Sequence, residues 1–224
     1  MQKEVEGWQR SLSSAAERRA FLDHAICQLR PRYGEALAQY HKLLDHKTRI
    51  LRDWEKNPSL LEVLEDFNEA MARAGALLIH YRAHFVGKLA PRAAQIQRDF
   101  SGDREELTLS YQTVGTVRDP LGPMVSIYED LRAHQDSHRR AELEARSCLS
   151  GPHKDDLAAW IDGQPARQFA SQGQTRTAAL SLKLAERELF EDDTGQWPVL
   201  LLDDVLSELD ARRQDFVLDR ITGG

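Results

Sequence analysis

Apolar residues recur every three or four positions from residue 14 to residue 100, and that spacing predicts helix along almost the whole stretch. Ser13 or Ser14 can cap a first helix, with Glu17 three residues beyond Ser14, and Phe21, Leu22, Ile26 and Leu29 form its apolar stripe. Arg30-Pro31 ends it. A second helix is predicted from about Tyr33 to Lys56, stopped by Asn57-Pro58, with Leu37, Tyr40, Leu44, Leu51 and Trp54 near helical spacing. A third should run from Leu60 to about Phe100, carrying Leu64, Phe67, Met71, Ala74, Leu78, Tyr81 and Phe85 on one side, with a kink at Pro91 and an end at Ser101-Gly102. Helices of this length, paired antiparallel, make an arm.

The period then changes. Leu107, Leu109 and Tyr111 alternate with polar residues as in a half-buried strand, and Asp119-Pro120-Leu121-Gly122-Pro123 forms a loop before a helix ending near Ser147. From Gly151 short apolar runs are separated by turns, and the last quarter has the strand-and-helix rhythm of an α/β sheet. The expected division is an atypical segment at 1–13, a helical lobe at 14–148 and an α/β core at 149–224.

With 41% hydrophobic and 29% charged residues the chain can bury a core. No apolar run reaches the ~20 residues of a membrane span and no signal peptide is present, so the expectation is a cytoplasmic protein with no membrane partner. Cys27 and Cys148 lie far apart and form no Cys-x-x-Cys pair; both read as buried thiols. The net charge of −6 is unevenly spread: residues 11–100 carry +3 and residues 151–224 carry −6, so a nucleic-acid surface belongs to the first half. Arg18, Arg19, Lys47, Arg49, Arg52, Arg82, Lys88 and Arg92 are its candidates, with a solvated helix face as the plainer reading of each. His80/His84 and His134/His138 have the i, i+4 spacing of helical metal ligands but lack the glutamate of H-E-x-x-H, and a structural or surface role is expected for both pairs.

The candidate chemistry lies in the last quarter. Val199-Leu200-Leu201-Leu202 reads as a buried parallel strand ending in Asp203 and Asp204, and acids beyond a strand's carboxyl end can meet a metal-bound phosphate. In that arrangement Asp203 holds Mg²⁺ and Asp204 positions or deprotonates the attacking water. Upstream, Ser171-Gln172-Gly173-Gln174 opens a helix whose N-terminal N–H groups suit a phosphate, and downstream Ser207-Glu208-Leu209-Asp210 has a capping form.

Taken in order, these three elements resemble the signature loop, Walker B strand and D-loop of ABC-type ATPases. The wording Gly151-Pro152-His153-Lys154-Asp155-Asp156-Leu157, then Ser171 to Thr177, then Leu201 to Asp210, is similar to the RecF family of DNA replication and repair proteins, as are Glu17 to Asp23 and Pro31-Arg32-Tyr33. The resemblance implies an α/β fold with an inserted helical lobe: a partial ABC-ATPase core, similar to SMC and Rad50 heads, plus an antiparallel helical arm. It implies ATP and Mg²⁺ as cofactors, sandwiched in a homodimer in which Ser171, Gln172, Gly173 and Gln174 meet the nucleotide of the partner and Ser207 and Asp210 couple the two sites. It implies DNA and RecO- and RecR-type mediators as partners in loading recombinase at gaps, and a scaffold role for His153, Lys154, Asp155 and Asp156. One element departs from the family. No G-x-x-x-x-G-K-[ST] phosphate loop is present, since Gly87-Lys88 is followed by Leu89 and has Arg82 in place of the first glycine. The chain alone is therefore expected neither to hold ATP tightly nor to hydrolyse it. The competing expectations are a non-enzymatic helical module for dimerisation or partner binding, and another SMC-like head with a different DNA task.

Overall fold

The computed structural model describes residues 14–115, 117–200 and 211–222. Helix α1 (Ala15–Leu29) starts at Ser14, whose Oγ accepts from the Glu17 N–H at 3.2 Å and donates to the Glu17 carboxylate. Arg30 is extended because Pro31 follows it, and Pro31 occupies the first turn of α2 (Pro31–Asp53), where its missing N–H costs nothing. A 3₁₀ turn (Pro58–Glu62) takes up what the apolar spacing assigned to the next helix, so α3 spans Leu64–Ser101. It continues through Pro91, with Glu65 and Asp66 in its first turn and Arg98 in its last, each sign suited to the helix dipole. Gly102 and Asp103, both at positive φ, turn the chain out of it.

Strand β1 (Leu107–Gln112) buries Leu107 and Leu109, as the alternation predicts. Helix α4 (Met124–Ala145) follows, ending at left-handed Arg146. A single 3₁₀ turn (Pro152–Lys154) leads into β2 (Asp156–Ile161), joined to β3 (Gln164–Pro165) through Asp162-Gly163. Both turn residues have positive φ, the requirement of a tight hairpin, and Ile161 pairs with Gln164 across it. The described sheet has the order β1-β2-β3, with β2 and β3 antiparallel. Then come α5 (Ala166–Phe169), α6 (Gln172–Thr194) and α7 (Ala211–Thr222).

The contacts divide the chain into two compact units. One takes in residues up to Phe21, Val86–Ser110 and residues from Leu157 onward; the other is Leu22–Phe85 with Tyr111–Asp156. In the first unit α6 buries Ala178, Leu182, Ala185 and Leu189. The later part of α3 meets α6 through a bond from Ser181 Oγ to Gln97 Oε1 at 2.9 Å and an Arg92–Asp192 ion pair, and Phe100 meets Phe216 of α7 with ring centroids 4.5 Å apart. In the second unit Ala72, Ala76, Ile79, Val117, Ile127 and Leu131 form an apolar cluster flanked by Tyr111, Val114 and Tyr128. Trp54 Nε1 donates to the Leu143 carbonyl at 3.4 Å, joining the end of α2 to α4.

Two expectations need correction. Val199 and Leu200 adopt no strand, and Val199 is 89% exposed. An apolar run becomes a strand only where a neighbour takes up its backbone groups, and no described strand lies beside these two. Cys148 is buried as expected, but Cys27 is only half-buried, because its helix leaves one side of it open to solvent. Among the described residues no helix is long and apolar enough to cross a membrane.

Candidate functional site

Ser171, Gln172 and Gly173 are exposed at the start of α6, and Gln174 is half-buried. Ser171 Oγ accepts from the Gln174 N–H at 3.2 Å while Gln174 Oε1 accepts from the Ser171 N–H at 2.9 Å, a complete capping box. Thr175 and Thr177 bond back to the carbonyls of Ser171 and Gly173 at 3.0 and 2.9 Å, stiffening the same turn. The cap leaves the Ser171 hydroxyl hydrogen and the Gln174 amide N–H₂ as donors, and helix geometry leaves the N–H groups of Gln172 and Gly173 without intrahelical acceptors. An anion approaching the turn meets these donors at the positive end of a 23-residue helix.

Gly173 supports this reading independently. A Cβ built there meets nothing closer than Ser171 Oγ at 4.0 Å, so no packing among the described residues calls for glycine. Glycine in a helix costs roughly 0.5–1 kcal/mol relative to alanine, a cost expected where something outside the chain comes close to the backbone.

Of the residues expected opposite this turn, Asp203, Asp204, Ser207 and Asp210 lie outside the described residues. The chain on either side of them is fastened to α6. The Arg187 guanidinium, on α6, stacks 3.9 Å over the Trp197 ring and donates at 3.2 Å to both the Arg220 and Ile221 carbonyls of α7. Arg220 returns to α6 through Glu188, at 3.0 Å from Nε.

The stretch His153, Lys154, Asp155, Asp156 lies among buried polar groups of the second unit. His153 Nε2 faces the Cys148 carbonyl at 3.2 Å. A carbonyl only accepts, so Nε2 carries the proton and Nδ1 accepts from the Tyr40 hydroxyl at 2.7 Å. Arg82 donates at 2.8 Å to the Pro152 carbonyl, Tyr111 donates to the Asp155 carboxylate, and Glu142 Oε1 accepts from the Leu149 and Ser150 N–H groups at 2.7 and 3.3 Å. Lys154 is exposed, and half-buried Asp156 begins β2. Gly151 sits at φ 126° directly under Tyr40. Burial pushes the Tyr40 and Tyr111 hydroxyls well above their usual range and the Cys148 thiol up to about 11.

The basic candidates separate by burial. Arg82 is 2% exposed and clamps Asp23 in bidentate fashion, Nε to Oδ1 at 2.9 Å and Nη2 to Oδ2 at 3.0 Å. Lys47 is fully buried with its ammonium 2.7 Å from Glu142 Oε2 as an ion pair, off the hydrogen-bond direction. Neither can reach DNA phosphate, because a buried charge is retained only beside its partner. Arg18 is also buried, and Arg92 is engaged by Asp192. Arg49, Arg52 and Lys88 are exposed and Arg19 is half-buried.

Sequence spacing gave no sign of the Arg82–Asp23–Tyr33 cluster, in which Arg82 Nε also reaches the Tyr33 hydroxyl at 2.9 Å, nor of the Lys47–Glu142 pair. Their partners stand 49 to 95 positions apart along the chain. The one available hint was polar residues on otherwise apolar helix faces.

No protein-family profile matches the sequence. Curated relatives do: the DNA replication and repair protein RecF of Desulforamulus reducens is 39% identical over 208 residues, 93% of this chain and 56% of that protein. RecF of Bacillus subtilis is 39% identical over 210 residues, again covering 56% of the relative. The resemblance is to part of a RecF protein. Solved structures agree: the recombination mediator protein RecF, described with ATPrS in the RecFOR pathway, superposes with a TM-score of 0.88 at 33% identity, covering 96% of this chain and 58% of that one. A RecF–ATP structure gives 0.87 at the same identity. The chain thus shares its mostly helical fold, with a small sheet, with the matching part of the RecF structures, and spans little more than half the length of the relatives it matches.

Proposed function

We propose that this chain acts as the signature-bearing part of a RecF-type ATPase in DNA repair and replication. The Ser171–Gln174 turn contacts the γ-phosphate of an ATP·Mg²⁺ held by the phosphate loop of a second subunit, Asp203 contributes to the metal site, and Asp204 positions the attacking water. Ser207 and Asp210 couple the two sites of a head-to-head dimer. The helical lobe and the α/β core divide the work: Arg49 and Arg52, exposed on one face of α2, contact DNA phosphates, and the core carries the nucleotide chemistry. By analogy with the RecFOR proteins, RecO- and RecR-type mediators join it at gapped DNA, where the assembly helps load recombinase.

The observation that carries this reading is the exposed, fully capped donor turn with a glycine that no packing among the described residues requires. His153, Asp155 and their partners serve it as a rigid scaffold rather than as nucleotide contacts.

The test is to purify the chain and measure ATP turnover alone and after adding the amino-terminal, phosphate-loop part of the Bacillus subtilis relative. Turnover is expected only in the mixture, and Asp204→Asn should abolish it. Turnover by the chain alone would overturn the reading. A mixture that binds DNA yet never turns over ATP would instead identify a helical interaction module.

A further inference from the structure

His80 and His84 are successive-turn neighbours on α3, the first half-buried and the second exposed. His84 Nδ1 lies 2.9 Å from the His80 carbonyl, and His80 Nδ1 lies 3.2 Å from the Gly122 carbonyl. Carbonyl oxygens only accept, so both Nδ1 atoms carry the proton and both Nε2 atoms keep their lone pairs. Among the described residues no hydrogen bond engages either Nε2. The ring centroids are 4.1 Å apart and the ring planes are inclined at 44°. Lone pairs lie in the ring planes, and inclined planes let two of them converge on one point.

The geometry points to a transition-metal site formed by His80 and His84. Two neutral imidazoles at i, i+4, each oriented by a carbonyl on its other nitrogen, form a chelate for ions of the zinc, nickel and copper class, with Nε2–metal distances of about 2.0–2.1 Å. No group of three or more potential ligands occurs among the described residues, so water completes the shell and the ion exchanges readily. Magnesium, which prefers oxygen donors, is excluded from it.

The other helical pair shows what the site requires. His134 and His138 stack at 3.9 Å with planes only 8° apart, so their lone pairs lie in separate, nearly parallel planes, and His134 is buried with Nδ1 on Ser150 Oγ at 2.6 Å. The ion also has a mechanical consequence. Through the His80–Gly122 bond it fixes the loop before α4, whose flanking Leu121, Met124 and Val125 are 54%, 48% and 61% exposed.

Zinc titration of the purified chain by calorimetry, in excess magnesium to fill carboxylate sites, tests this. One ion per chain is expected, with His80→Gln and His84→Gln each weakening binding at least about tenfold and His138→Gln leaving it unchanged. Zinc should also slow amide exchange at Asp119, Leu121 and Gly122 in the wild type but not in His84→Gln. Binding that survives His84→Gln, disappears in His138→Gln, or leaves the loop's exchange unaltered would overturn the site. None of these readouts depends on nucleotide.

Discussion

At Gly151 the backbone holds φ 126°, and an added Cβ would lie 2.2 Å from the Tyr40 hydroxyl. Two penalties coincide there, left-handed strain and overpacking against a side chain that is itself bonded to His153. Gly151→Ala is expected to cost about 2 kcal/mol or more in chemical denaturation, and loss of the Tyr40–His153 bond should follow. Gly173 is the opposite case. Its Cβ position is open, so Gly173→Ala should stabilise the isolated chain by roughly 0.5–1 kcal/mol. The same substitution should impair turnover in the complemented mixture. If Gly173→Ala proves stabilising and fully active, the close approach proposed for that turn does not occur. Both glycines stand in motifs visible in the sequence, but only the surrounding atoms separate a glycine needed by its own fold from one kept for something outside it.

At the scale of elements, the ends of helices follow local chemistry closely. Ser14 caps α1 as its spacing to Glu17 predicts, Ser171 opens α6 as expected and caps it through Gln174, and the prolines at 31 and 58 fall where chains leave or enter helices. The tie between α6 and α7 was not legible, because Arg187 spends its guanidinium on backbone carbonyls and an indole face, partners with no fixed sequence offset. Arg187→Ala removes two charge-assisted bonds and a cation–π contact from a buried position, and is expected to destabilise the α6–α7 packing by about 2 kcal/mol. Hydrogen exchange should show this as faster exchange in Ala211–Thr222 with little change in α2. Arg187→Lys, which lacks the planar fork, should recover only part of the loss. Uniform acceleration across all helices would instead place Arg187 in the global folding core.

At the scale of the whole molecule, buried titratable groups set the pH range of stability. Burial, opposed by Lys47, raises the Cys148 thiol from its ordinary 9.0 to about 11. The unfolded thiol therefore loses its proton first, and stability should fall as pH rises from about 9 to 11, by roughly 2–3 kcal/mol from this group. Cys148→Ala should flatten that limb, leaving the part due to Tyr33, Tyr40 and Tyr111, which are also held protonated by burial. On the acid side His134 is lowered by burial, with His138 and Lys47 acting in the same direction and Glu142 against them. Its contribution is complete above the ordinary histidine value of 6.5 and is lost as pH falls below it. Denaturation midpoints for wild type and His134→Gln should therefore differ most at neutral pH and converge as pH falls below 6.5, because only the wild type carries this acid-limb slope.

What the sequence alone determined is local: helix periodicity, caps, proline stops and the alternation of β1. These depend on residues within a few positions of one another, where side-chain spacing and backbone preference act directly. Tertiary structure decided which charges are buried. Arg82 and Lys47 looked like any other basic residue on a helix until Asp23 and Glu142, distant along the chain, closed over them. It also decided which histidine pair presents inclined rings and which stacks. Burial and ring orientation arise from elements meeting in three dimensions, and no one-dimensional spacing encodes that meeting.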